Sequence, residues 1–440
     1  MDARVGSEAI ELCRRLVRVD TSNPPGHETP AAHLLAEYLR EAGEGRIEVE
    51  LAGPDPERLN VIARIPGTGD GPSLMMLGHT DVVPAPADSG WTVPPFEGRI
   101  EGSRMIGRGT ADMKGELAGR AAALAGFARS GRAPRGDVVL IAESDEERGI
   151  SGVGMKWLVR ERPDLRCDYT VNEGGGNVYD LTDGRRVVTV GIGEKVVTSV
   201  RVRLRGRGGH ASTPLETENP MSYAAEAIQR LAAARGPRRL VPAVERAFEQ
   251  LGIAALADEE LIGWAREQHP LLAPELDAMI RLTVTPTGIR TETPTNVIPG
   301  FVDVTCDCRL VPGGGDPLAE IEAHVAAAMA GGPAYEIELL EPPEGGTESA
   351  AEGPLYEAIA AFTAEKVPGA VLLPILGTGF SDTAYVRESW GSSAFGFAPI
   401  IHTELGAYYE GIHSADETIE LADLEGIAEF HLFAIERVAG

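Results

Sequence analysis

"PSLMMLGHTDVVP", residues 72–84, joins an apolar run, Leu74-Met75-Met76-Leu77, to a histidine and an aspartate one residue apart. An unbroken apolar stretch of this length reads as a strand inside a sheet covered on both faces. His79 and Asp81 then stand at the strand's exit. On extended backbone, residues i and i+2 project to the same side, so the imidazole and the carboxylate share one surface there.

The same pattern recurs outward from this point. "NVIARIP" (60–66), "DVVLIAES" (137–144) and "CDYTVNE" (167–173) are strand-length and apolar, and helical stretches alternate with them, "KGELAGRAAALAGFARSG" (114–131) and "GVGMKWLVRER" (152–162). This rhythm predicts an α/β fold, a mostly parallel sheet with flanking helices, whose ligands gather at the carboxyl ends of the strands. Upstream, Ser7 is placed to cap a helix running through about Val19, and "ETPAAHLLAEYLREAG" (28–43) reads as a second helix stopped by Gly43.

From about Glu194 the rhythm changes. "KVVTSVRVRLRGRGG" (195–209) alternates apolar with polar residues, the mark of a strand with one wet face. The spacing predicts helices near 219–235 and 240–280, strands in "IRLTVTPTG" and "GFVDVTCDCRLV", a helix over 316–330 and the strand "YEIELLE". Residues 194–345 therefore read as an α+β domain inserted into a first domain made of 1–193 and 346–440.

A chain of 440 residues with 43% hydrophobic and 24% charged residues can bury a sizeable core. Its formal charge of −27 repels phosphate, which excludes nucleic acid and anionic membrane surfaces as partners and favours a small-molecule or short-peptide substrate. No apolar signal core follows Met1 and no run of 18 apolar residues occurs, so a cytoplasmic location is expected. The four cysteines are too few for a disulfide framework, and Cys306 and Cys308 read as buried free thiols.

Polar clusters sit at the ends of the predicted strands: "GHTDVVP", "GRGTADMKGELAG" with Asp112 before a helix, "AESDEERG" with Glu146 and Glu147, and "VNEGGG" with Glu173. A fifth, "EGIHSADE" with His413, lies near the C-terminus. Singly each has a plain explanation, since an Asp before a helix is usually a cap and a Glu pair usually a solvated loop. Together they would crowd like charges into one crevice, which is unfavourable unless cations occupy it.

These motifs, in this order and across essentially the whole chain, closely resemble the zinc-dependent M20 metallopeptidase family. That family includes aminoacylases, carboxypeptidases of the G2 and S types, acetylornithine deacetylase and succinyl-diaminopimelate desuccinylase. The resemblance implies two Zn²⁺ per subunit, with Co²⁺ or Mn²⁺ as substitutes. It implies that His79 and His413 each bind one ion, Asp112 bridges both, Glu147 and Glu173 complete the opposite sites, and Glu146 is the general base. Asp81 would orient His79 through its other ring nitrogen, as outer carboxylates do at metal sites. His210 of "RGRGGHAS" would stabilise the oxyanion from the lid, and a homodimer would form through that inserted lid domain. Asn296, Arg309 and Thr378 resemble substrate contacts, although in "GTGFSDTAYV" (377–386) extra residues separate Thr378 from Ser381 and Asp382. The lid also exceeds the compact desuccinylase type by the helical stretch 240–280, which leans towards aminoacylases and carboxypeptidase S.

The reading is a dizinc hydrolase that uses an ion-activated hydroxide and the glutamate base to cleave the amide of an N-acyl amino acid or short peptide bearing a free carboxylate. Its alternatives are a biosynthetic deacylase of the desuccinylase or acetylornithine deacetylase type and, from another class, a non-catalytic binding protein on the same fold. The latter would be expected to have lost ligands or base. A serine hydrolase lacks its G-x-S-x-G turn and a dinucleotide enzyme its G-x-G-x-x-G loop.

Overall fold

In the computed structural model, which describes residues 4–86, 88–149, 152–214 and 218–440, the strand Leu74–His79 is buried at every position. Leu74 and Met76 face one apolar cluster while Met75 and Leu77 face another, so its two-residue period serves two cores at once. This strand lies inside a nine-stranded sheet. Its neighbours Val138–Glu143 and Tyr169–Asn172 run parallel to it, and Ser393–Gly396 runs parallel to the latter. Antiparallel strands Glu48–Ala52 and Asn60–Ile65 extend one edge, while Arg186–Glu194 and Val371–Gly377 form the other. The expected mixed α/β architecture with a mostly parallel centre is what the chain adopts.

Helices Val5–Val17, Lys114–Arg129 and Leu421–Val438 cover one face. Ser7 lies inside the first of these rather than at its cap, its hydroxyl donating to the Arg4 carbonyl. The helix Lys114–Arg129 is buried almost throughout, and its small residues explain how. A Cβ at Gly119 would come within 2.6 Å of Ile427, so only glycine lets the two helices approach this closely.

Between these helices lies a buried polar link. Arg120 donates to the Leu77 carbonyl at 2.6 Å and to Glu116 at 2.8 Å, while its Nε faces His431 Nε2 at 3.2 Å. Burial, then the Arg120 charge, push the His431 pKa well below the ordinary imidazole value. An unfolded histidine titrates near 6.5. Below that pH only the unfolded chain takes up this proton, so the residue's contribution is intact above about 6.5 and is lost as pH falls, by about 1.4 kcal/mol per pH unit. Between pH 6.5 and 5.5, where the unfolded histidine goes from half to almost fully protonated, the unfolding free energy from urea titration should therefore fall by about 1 kcal/mol more in the wild type than in His431→Gln. Equal pH slopes would show that His431 is not held neutral.

The second sheet is antiparallel throughout, in the order Thr283–Arg290, Phe301–Leu310, Val196–Arg205, Tyr335–Leu339. Helices Pro220–Ala233 and Pro317–Ala328, capped by the side chains of Asn219 and Asp316, pack on one face. Cys306 and Cys308 are free thiols within this small core. The helices of 240–280 depart from the expectation. Pro242–Leu251, Asp258–Gln268 and Leu272–Met279 bury Val244, Phe248, Leu261, Leu276 and Met279 in the first sheet's core, the leading helix lying against Val371–Gly377. An amphipathic helix announces one apolar face but not which core receives it.

Candidate metal centre

Three adjacent parallel strands deliver the acidic and imidazole groups to one edge. Leu74–His79 ends in His79, Val138–Glu143 leads into Asp145-Glu146-Glu147, and Tyr169–Asn172 is followed at once by Glu173. Asp112 arrives from the turn before the buried helix and His413 from the turn after Leu405–Gly411. Glycines let the Glu173 turn lie flat: a Cβ at Gly176, where φ is +97°, would stand 1.8 Å from the Ala398 carbonyl oxygen.

The two oxygens of Asp112 divide between two imidazoles. Oδ1 lies 3.1 Å from His79 Nε2, and Oδ2 lies 3.2 Å from His413 Nε2. Glu173 stands 3.6 Å from His79, and Glu147 stands 3.1 Å from His413. Donor atoms of His79, Asp112 and Glu173 lie within 4.8 Å of one another, as do those of Asp112, Glu147 and His413. Two groups of nitrogen and oxygen donors thus share one carboxylate, a set suited to Zn²⁺ and similar divalent ions. Glu146 belongs to neither group, with its carboxylate 3.9 Å from His79 Nε2.

Electrostatics agree with the fit. Burial opposes a charge on His79, yet Asp112, Asp81 and Glu173 carry its pKa well above the ordinary value. Asp112 and Glu147 raise His413 to about 10. Burial would raise Asp112, but the two imidazoles outweigh it and hold that carboxyl below the usual range. Burial, then the charge of Glu173, push Glu146 well above it, and burial raises Glu147. Without cations, protonated imidazoles are the groups that balance these carboxylates, which is the role a divalent pair would assume.

Asp145 takes a left-handed conformation, φ 73°, just past the strand, and His413 does the same at φ 62°. Such conformations cost about 1–3 kcal/mol each and persist where the surroundings hold them.

Asp81 is fully buried, and its contacts refine the expectation. His79 Nδ1 lies 3.0 Å from the Asp81 carbonyl oxygen and 3.5 Å from its carboxylate, so the main chain is the nearer partner. The carboxylate instead accepts from the backbone N–H groups of Glu146 and Glu147, each at 3.2 Å, and from the Asn23 side chain at 2.9 Å. Asn23 also donates to Asp145 at 2.8 Å. Asp81 therefore ties the histidine strand to the glutamate turn. Asp81→Ala should weaken metal binding about 10–100-fold, measured by competition against a chromophoric chelator. Unchanged affinity would remove it from that role.

A cleft of about 330 Å³ opens over these groups. Thr378 lines it, as do Gly379, Phe380 and Ser381, so the extra residues of that loop form part of the wall. His210, Asn296 and Arg309 do not line it. The first two are exposed, beside the short pairing of Gly209–His210 with Val297–Ile298, and Arg309 is paired with Asp307 at 2.8 and 2.9 Å. Conversely, Glu116, Asn177, Glu194, Glu275, Arg387 and Tyr409 line the cleft without any local motif that marks them. Arg387 is already held by Glu194 at 2.7 Å.

The comparisons agree with this geometry. Peptidase family M20/M25/M40 matches residues 75–437. A succinyl-diaminopimelate desuccinylase of Methylocella silvestris is 33% identical over 217 residues, which span 49% of this chain but only 54% of that protein. One of Gluconacetobacter diazotrophicus is 27% identical over 98% of this chain and 97% of its own. In fold, the chain resembles an M20 family metallo-carboxypeptidase, Sso-CP2 of Sulfolobus solfataricus, with a TM-score of 0.72 and 19% identity over 98% of this chain and 99% of that one. The family match takes in every group around the two donor clusters, and on that ground the chain belongs to peptidase family M20/M25/M40.

Proposed function

We propose that the chain hydrolyses the amide bond of an N-acyl amino acid or short peptide bearing a free carboxylate, with a pair of zinc ions as its cofactor. The observation that carries this reading is Asp112, one carboxylate presenting an oxygen to each of two imidazoles. His79 and Glu173 would hold one ion, Glu147 and His413 the other, with Asp112 common to both. When bound, such a pair supplies Lewis acidity that polarises a carbonyl and makes water more acidic. Glu146 stands outside both donor groups, free to accept the proton of the attacking water and pass it to the leaving nitrogen. Thr378 would contact the substrate from the cleft wall. His210, Asn296 and Arg309 would contribute through closure of the lid formed within 194–345 or from a second copy of the chain.

The second reading, a biosynthetic deacylase, is favoured by the full-length similarity to a desuccinylase. Elemental analysis combined with a kinetic panel of N-acetyl amino acids, dipeptides and N-succinyl-diaminopimelate separates the two. Cleavage confined to the succinyl compound would select the deacylase, and no cleavage of any member by the metal-loaded protein would overturn both.

A further inference from the structure

Besides the metal groups, the cleft is lined by a carboxylate, Glu275, that no cation pairs with among the described residues. Glu275 is on the helix Leu272–Met279, which the inserted segment packs against the first core through Leu272, Ala273, Leu276 and Met279. One oxygen of Glu275 accepts a hydrogen bond from the Tyr179 hydroxyl, and no other donor reaches the side chain among the described residues. Burial raises its pKa, and the hydroxyl of Tyr179 is the one group that draws it back. Tyr179 and Tyr409 hydroxyls lie 3.4 Å apart, and Asn177 donates to Tyr409 at 2.8 Å. The Asn177 Oδ1 is buried and has no partner. This end of the cleft is therefore rich in acceptors and poor in donors. An ionised carboxylate in such a place is costly unless it takes up a proton or a ligand supplies the missing charge.

The group is also fixed relative to the metal centre. Asn177 follows Glu173 by four residues, and Tyr409 precedes His413 by four on the same short helix and turn. A substrate whose scissile amide lies at the donor clusters can extend one arm along the cleft towards Glu275.

We infer that Glu275, framed by Tyr179, Tyr409 and Asn177, is a specificity-determining residue that selects a substrate arm ending in a protonated amine, so that the enzyme prefers acylated basic amino acids. This rests on the amide hydrolysis proposed above and names the class of substrate within it. A carboxylate accepts from an ammonium group with the strength of a charge-assisted hydrogen bond, and neither an alkyl chain nor a carboxylate of similar length can replace that donor.

The test compares kcat/KM of the zinc-loaded protein for N-acetyl-lysine, N-acetyl-norleucine and N-acetyl-glutamate. The wild type should favour lysine over norleucine, and Glu275→Gln should reduce that ratio about 10- to 100-fold, chiefly through KM. Glu275→Lys should turn the preference towards the glutamate derivative, a gain that loss of folding cannot produce. A wild type that treats lysine and norleucine alike, or variants that leave the ratio unmoved, would overturn the inference. If none of the three amides is cleaved, the wider panel above decides whether hydrolysis itself fails, and calorimetry decides the subsite with ketomethylene analogues of the lysine and norleucine compounds. Tighter binding of the lysine analogue that is lost in Glu275→Gln supports it, and equal binding overturns it.

Discussion

Dialysis against a chelator should reduce amide hydrolysis by a factor on the order of 10³ or more, because polarising a carbonyl contributes several kcal/mol and each 1.4 kcal/mol is about tenfold in rate. Added Zn²⁺, Co²⁺ or Mn²⁺ should restore it. A second readout does not depend on turnover. In the ion-free chain Glu146, Glu147, Glu173 and Asp112 crowd one half-buried cleft, where nearby carboxylates raise the pKa values of His79 and His413. Restoring the cations binds the native state alone, so the melting temperature should rise with ion concentration, by about 4 kcal/mol of stabilisation at a thousandfold excess over Kd. Full activity in protein shown by elemental analysis to be metal-free would end the proposal.

Exchanging the two adjacent glutamates should separate their roles. Glu146→Ala should lower kcat about 10²–10⁴-fold, the usual worth of a positioned general base, while two equivalents of metal remain bound. Glu147→Ala should instead lose one equivalent, since Glu147 stands 3.1 Å from His413 and shares its donor group. The distinction follows from the donor groups, since Glu146 belongs to neither and stands 3.9 Å from His79. Metal loss in Glu146→Ala with retention in Glu147→Ala would reverse the two assignments and leave the rest of the site standing.

Much of this centre is legible in the sequence for one physical reason. A buried parallel strand must deliver whatever follows it to the carboxyl edge of its sheet, so the polar clusters at His79, at Asp145 to Glu147 and at Glu173 share that edge once three strands are recognised. Family resemblance is what singles out His79, Asp112, Glu147, Glu173 and His413, and the structure brings donor atoms of these five into two groups. The finer contacts were not legible. Asp81 reads as a partner of His79, yet its carboxylate is taken up by the turn carrying Glu146 and Glu147 and by Asn23, a residue that no nearby pattern connects to it. Arg309 reads as a fork for a substrate carboxylate, and its pairing with Asp307 on the same face of its strand was not legible either.

By itself the sequence determined the α/β class, the parallel strands and the crowding of acidic and imidazole groups at the strand ends, because hydrophobic period and strand-end chemistry are local properties. Only the tertiary structure decided which Asp112 oxygen faces which histidine, where the helices between Pro242 and Met279 bury their apolar sides, and that Glu275 reaches the cleft. Those outcomes depend on packing between segments far apart in the chain, where an amphipathic pattern states that a face must be covered and leaves open what will cover it.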